Sequence, residues 1–221
     1  MTTRLAAIGP SLVLAPPKVS DAQLQALSLG LCWGQAVARN AQRDPGSQAY
    51  FDALCAELGR TAWTVQAGQT FASHQSGSNL RVSAIVPALI QALVDADSAR
   101  LVRQLFADVA AASAASPLAG FAGTWWASQK STLLSQAFAV GPARIGPDGA
   151  LATTLVCYGF GVQASSWQSF FVAAQSNSLD IEVRSVELSL NEALWSSISG
   201  AITQRLGTAA IAAIQQLAID L

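Results

Sequence analysis

The chain has 221 residues, 52 % of them hydrophobic and only 11 % charged, with 12 basic and 13 acidic side chains and a net charge of −1. A globular domain usually carries about 25 % charged residues, so little charge is left to oppose contact between copies of the chain. The balance argues against a nucleic-acid partner, which would need clustered Lys and Arg to neutralise phosphates. Arg100 and Arg103 form the densest basic pair and read as the solvated face of a helix.

The length suits one core. No stretch offers the roughly 20 consecutive apolar residues of a membrane-spanning helix. Val109–Gln129 is uncharged but interrupted by Ser113, Ser116, Pro117, Gly120 and Gly123. The apolar patch Leu12–Ala15 is too short for the centre of a signal peptide, so a cytoplasmic location is expected, with a non-classical route if the protein is exported. Cys32, Cys55 and Cys157 lie far apart in apolar surroundings and fit a reducing compartment. No CxxC or Cys/His cluster supplies a metal-ligand set, and no cofactor motif is present.

In chain order, Met1–Lys18 contains Pro10, Pro16 and Pro17 and reads as an extended arm over residues 1–19, ahead of a single α+β domain over residues 20–221. Ser20 with Gln23 forms a capping-box signature, and Leu24, Leu27, Leu31 and Ala38 recur at helical spacing to about Arg43. Asp44-Pro45 restarts the chain as a second helix to Leu58, making a hairpin in which Tyr50, Phe51, Leu54 and Leu58 face the first helix. Thr61–Gln66 reads as a short strand and the polar stretch Gly68–Asn79 as a loop. Ser83 and Asp97 are placed to cap two further helices, Ala84–Val94 and one to about Ala115.

After Pro117 the pattern turns to strand: Thr124–Trp126, then Ser131–Val140 and Ala150–Val162 as a long hairpin turning at Gly141-Pro142 and Pro147-Asp148-Gly149. In the return strand Leu151, Leu155 and Cys157 share one face and Val156, Tyr158, Phe160 and Val162 the other. Two apolar faces imply a central strand covered on both sides, by helices or by another subunit. Trp167–Ala174 and Leu179–Leu190 are further strands, the last with its apolar parity switching near Arg184-Ser185, where a β-bulge would reconcile the halves. Asn191 caps a helix whose Trp195 packs on Leu190, and a final helix spans about Ala201–Ala218. The expected architecture is an N-terminal helical hairpin and further helices on a mainly antiparallel sheet, ending in two C-terminal helices.

No residue pattern specifies an active site. His74, the only histidine, lacks a nucleophile and an orienting acid in its sequence neighbourhood. Asp180 and Glu182 read as a solvated strand edge, and Gly159-Phe160-Gly161 as close backbone packing. Cys157 reads as a core thiol, the sharper alternative being a thioester-linked acyl chain. The leading expectation is a non-enzymatic protein that assembles into a homo-oligomer or polymer. The arm residues Leu5, Leu12 and Leu14 and the pair Trp125-Trp126 are the interface candidates. A membrane-active bacterial toxin or virulence factor is the second expectation, with the uncharged run Gly149–Leu179 rearranging into inserting hairpins and no transmembrane helix involved. An enzyme or small-ligand binder without a recognisable motif is the third.

Overall fold

The computed structural model describes residues 2–42, 44–66, 68–129, 136–160, 167–172 and 178–221. Along them run β1 (Thr2–Ile8), β2 (Ser11–Ala15), α1 (Asp21–Ala41), α2 (Gln48–Arg60), β3 (Trp63–Gln66), β4 (Thr70–Ser76), α3 (Val82–Ile90), α4 (Ala96–Ala111) and α5 (Pro117–Gln129). Then come β5 (Gln136–Ile145), β6 (Leu151–Phe160), α6 (Trp167–Phe171), β7 (Ser178–Leu190), α7 (Glu192–Ala212) and β8 (Gln215–Asp220). The class is α+β. The eight-stranded sheet has the order β3-β7-β6-β5-β2-β1-β8, with β4 sharing the outer side of β7 with β3. Every pairing is antiparallel except that of β2 with β5.

Both faces of the sheet are covered by the chain's own helices. Val156, Tyr158 and Phe160 of β6 join a core closed by α3, α4, α5 and α6. Leu151 and Leu155, with Cys157 beside them, join a second core closed by α1, α2 and α7. The doubly apolar strand of the sequence is therefore a central strand satisfied within one chain. β7 serves both cores in turn: Leu179, Ile181 and Val183 face the first, and Val186, Leu188 and Leu190 the second. No bulge is involved, because its register with β6 runs unbroken from Phe160↔Ile181 to Ala152↔Ser189. What changes is its other neighbour, which is β4 up to Arg184 and β3 from Glu187. At the crossover Gly68 lies so close that an added Cβ would sit 1.5 Å from the Ser185 carbonyl oxygen.

The helical hairpin forms as its sequence indicates. Ser20 and Gln23 complete the capping box, and Tyr50, Phe51, Leu54 and Leu58 are the buried residues of α2. A Cβ at Gly34 would come within 2.9 Å of Leu54, so the two helices approach where a side chain is missing. The cap of α2 is Ser47, while the Asp44 carboxylate accepts the Gly46 N–H in a turn. Likewise Asp95, not Asp97, caps α4, and α3 begins at Val82 without a side-chain cap. Asn191 caps α7, and Leu190 and Trp195 share the second core.

Six further sequence expectations are corrected. The leader is no arm: β1 and β2 form a hairpin in the middle of the sheet, turning at Gly9-Pro10. Residues 70–76 are strand β4, not loop, and alternate exposed with half-buried. Thr124–Trp126 belongs to helix α5, with Pro117 at its start. Trp167–Phe171 is helical, and residues 131–135, 161–162 and 173–174 of the expected strands lie outside the described residues. Gly141-Pro142 lies inside β5, and the hairpin turns at Gly146–Ala150, where Gly149 has φ 82°. The C-terminal helical stretch breaks at Gly207, whose φ of 72° suits glycine, and beyond Ala213 the chain forms β8 instead of running on as helix to Ala218.

Candidate functional site

The five interface candidates are all interior. Leu5, Leu12 and Leu14 are 0 %, 5 % and 0 % exposed, and Trp125 and Trp126 are 4 % and 7 %. All five line the first core. In a strand adjacent tryptophans would point to opposite faces; in a helix they lie about 100° apart, close enough for both to turn inward. The Trp125 indole also donates to the Gly9 carbonyl at 2.9 Å, fastening α5 to the β1–β2 turn. None of these residues offers a surface to a neighbour in this fold.

Cys157 is half-buried, and burial pushes its thiol up to about 12, nearby Cys55 adding to the rise and Arg184 opposing it. Burial also raises Cys55 to about 12, with Asp52 adding, and raises Cys32. A thiol held protonated is a poor nucleophile. Native protein at pH 8 is expected to leave Cys157 unmodified by iodoacetamide while denatured protein takes label at all three cysteines; peptide mass spectrometry reads the difference. The same raised values have a sign. The unfolded thiols ionise from about pH 9, so the stabilisation is whole below that pH and is lost as the pH climbs toward 12. Burial of the Tyr50 and Tyr158 hydroxyls acts in the same direction.

His74 sits on β4, where its Nδ1 lies 2.7 Å from the Asp180 carboxylate across the strand pair. Both side chains are largely solvated, at 61 % and 85 % exposure. Buried Arg184, by contrast, has a definite structural task. It donates to the Gln48 side chain at 2.9 Å and to the Gly46 carbonyl at 2.6 Å and pairs with Glu182, binding the start of α2 to β7. Among the described residues no group of three or more His, Cys, Asp or Glu could hold a metal ion.

A groove of about 700 Å³ lies at one end of the sheet, lined by Pro16, Lys18, Asp95, Arg100, Arg144 and Leu221 among others. Its charges are mostly engaged: Arg144 pairs with Glu187, and Arg100 with Asp97 at 3.0 Å. Burial raises the Asp95 carboxyl, but hydrogen bonds from Ser98 and the charge of Arg144 outweigh it, and the net shift is downward. Asp95 is thus an ionised helix cap.

The outer surface is poor in charge without being rich in large apolar groups: Leu194, at 47 %, is the one large hydrophobic side chain exposed among the described residues. What remains open is the sheet. β8 pairs only with β1, and β3 and β4 pair only with β7, so both ends of the sheet present unpaired strand edges among the described residues. β8, with the sequence Gln215-Gln216-Leu217-Ala218-Ile219-Asp220, contains no Pro or Lys, two of the residues that usually blunt an edge, and its one charge, Asp220, stands at its end. Sequence reasoning missed this edge because the Ala-rich run before it reads as helix to Ala218. Gly207 is the one signal that could have ended that helix sooner.

No protein-family model and no curated protein matches the chain. Among solved structures it is similar to a delta-endotoxin at 11 % identity, with 83 % of this chain and 81 % of that chain covered and a TM-score of 0.44. It is also similar to the Evf virulence factor at 13 % identity, with 88 % and 76 % covered and a TM-score of 0.37. Likeness at that level assigns no role to this chain.

Proposed function

We propose that the protein works by self-association, without chemistry of its own. The observation that carries this reading is the open sheet: both outer edges are bare among the described residues, on a chain whose net charge is −1. An unpaired edge presents a row of backbone donors and acceptors to any second strand, and so small a net charge gives little repulsion between copies. Interior residues take no part, since the earlier interface candidates are used within the fold. Sedimentation velocity over a wide concentration range is expected to show species heavier than the 22.9 kDa chain, persisting at high salt because backbone pairing and apolar contact are little screened. A single species at the monomer mass throughout overturns the reading.

A second reading, activity on membranes, is favoured by the dimensions of the central strands. β5, β6 and β7 are consecutive antiparallel neighbours of 10, 10 and 13 residues, and a strand needs about 9–11 residues to cross a bilayer. β6 carries no charge, although β7 carries Asp180, Glu182, Arg184 and Glu187. No helix among the described residues is long and apolar enough to cross a membrane, so insertion would have to use these strands. Release of dye from anionic liposomes at micromolar protein is the expected result under this reading; intact liposomes remove it.

A further inference from the structure

Of the open edges, β8 is the one suited to pair with itself. We propose that two copies join edge to edge through β8, antiparallel, about a two-fold axis perpendicular to the sheet and passing beside Ala218. The proposal rests on the self-association reading above and names its surface and its partner, a second copy of this chain.

The register follows from the pleat. Rotation about an axis normal to the sheet leaves each face on its own side, and directly opposed residues of an antiparallel pair point to the same face. Opposed residues must therefore share parity, and one residue must face its own copy. Centring on Ala218 opposes Gln215 to Leu221, Gln216 to Asp220 and Leu217 to Ile219, so the whole strand is paired; centring on Leu217 or Ile219 leaves one end unpaired.

The side chains suit that register. Leu217 and Ile219 are half-buried and pack on the first core. Opposing them across the join would extend that core from one copy into the next and withdraw their remaining surface from water. On the other face Gln216, Ala218 and Asp220 are exposed. There the Gln216 amide can donate to the Asp220 carboxylate of the partner, so no like charges meet, and Ala218 meets only its own methyl group. β4 lacks these features: centred on Ser73 it would oppose Phe71 to Gln75 and Ala72 to His74, burying little apolar surface.

The test compares the full chain with Ala218→Lys, Ala72→Lys and Ala218→Cys. Sedimentation velocity of the full chain is expected to show a dimer that does not grow further. Ala218→Lys, which sets two ammonium groups face to face, is expected to weaken dimerisation at least tenfold with an unchanged circular-dichroism spectrum, whereas Ala72→Lys on β4 leaves it intact. Ala218→Cys treated with a short bis-maleimide linker is expected to give a covalent dimer that the unmodified chain does not. This decides the matter even if Ala218→Lys fails to fold. Self-association that survives Ala218→Lys, with no linkage at Ala218→Cys, overturns the β8 interface and leaves self-association standing. An open ladder of larger species also overturns the two-fold arrangement. A monomer at every concentration overturns both readings.

Discussion

Deleting residues 2–17 is expected to abolish folding. β2 is the junction of the sheet, parallel to β5 on one side and antiparallel to β1 on the other, and β1 is the support of β8. Without them β5 loses its neighbour, β8 has nothing to pair with, and both cores open along one side. Leu5, Ile8, Leu12, Val13 and Leu14 are each at most 5 % exposed. Full burial of such a side chain contributes about 1.5–3 kcal/mol, so the five together are comparable with the roughly 5–15 kcal/mol of total stability of a folded domain. The truncated chain should lose its native circular-dichroism spectrum and show no cooperative melt. A native-like spectrum with a sharp transition would return the leader to the role of a dispensable arm.

Phe138→Ala is expected to have the largest effect among single truncations in the first core. The Phe138 ring lies 5.3 Å from Tyr158, 5.4 Å from Phe171 and 5.5 Å from Phe160, with Trp125, Phe170 and Phe106 at 5.9, 6.1 and 6.5 Å. From β5 it contacts rings of β6, α4, α5 and α6 at once. Replacing a buried Phe with Ala typically costs about 3–5 kcal/mol, partly because the neighbours relax only partially into the space. At about 2–4 °C per kcal/mol for a domain of this size, the melting temperature should fall by roughly 6–20 °C. Phe138→Leu keeps much of the volume and should fall by less. A loss below about 1 kcal/mol by urea titration would mean that the cluster repacks freely and that Phe138 is not its centre.

The sequence was most legible where one signal was local and unopposed. The capping box at Ser20, the spacing of Tyr50, Phe51, Leu54 and Leu58, the two faces of Leu151–Phe160 and the cap at Asn191 each depend on a few neighbouring residues. Failures came where tertiary placement decided. Leu5–Ile8 and Leu12–Ala15 are apolar on both faces, so they show no alternation, and only a sheet covered from both sides gives such segments a place. Trp125-Trp126 has strand-forming residues inside a helix that starts at Pro117, and packing of both rings overrides that preference. The open edges are illegible for a different reason: a strand is an edge only by virtue of which other strands exist, and in the sequence residues 70–76 read as loop and 215–218 as helix. The pairing of His74 with Asp180 was hidden likewise, since it joins residues 106 positions apart.

The pairing of β1 with β8 matches Thr2 with Asp220 and Ala7 with Gln215. These are among the most distant partners the chain can offer, and closing such a loop is entropically unfavourable before any contact rewards it. During synthesis the hairpin of β1 and β2 is made well before its partners: it cannot be seated until residues 136–145 are available for β5, nor flanked until residues 215–220 are available for β8. Through that interval Leu5, Ile8, Leu12, Val13 and Leu14 remain in water as an apolar, nearly uncharged hairpin, so refolding should be slow and chaperone-dependent, and chains that still lack residues 215–220 should be prone to aggregate.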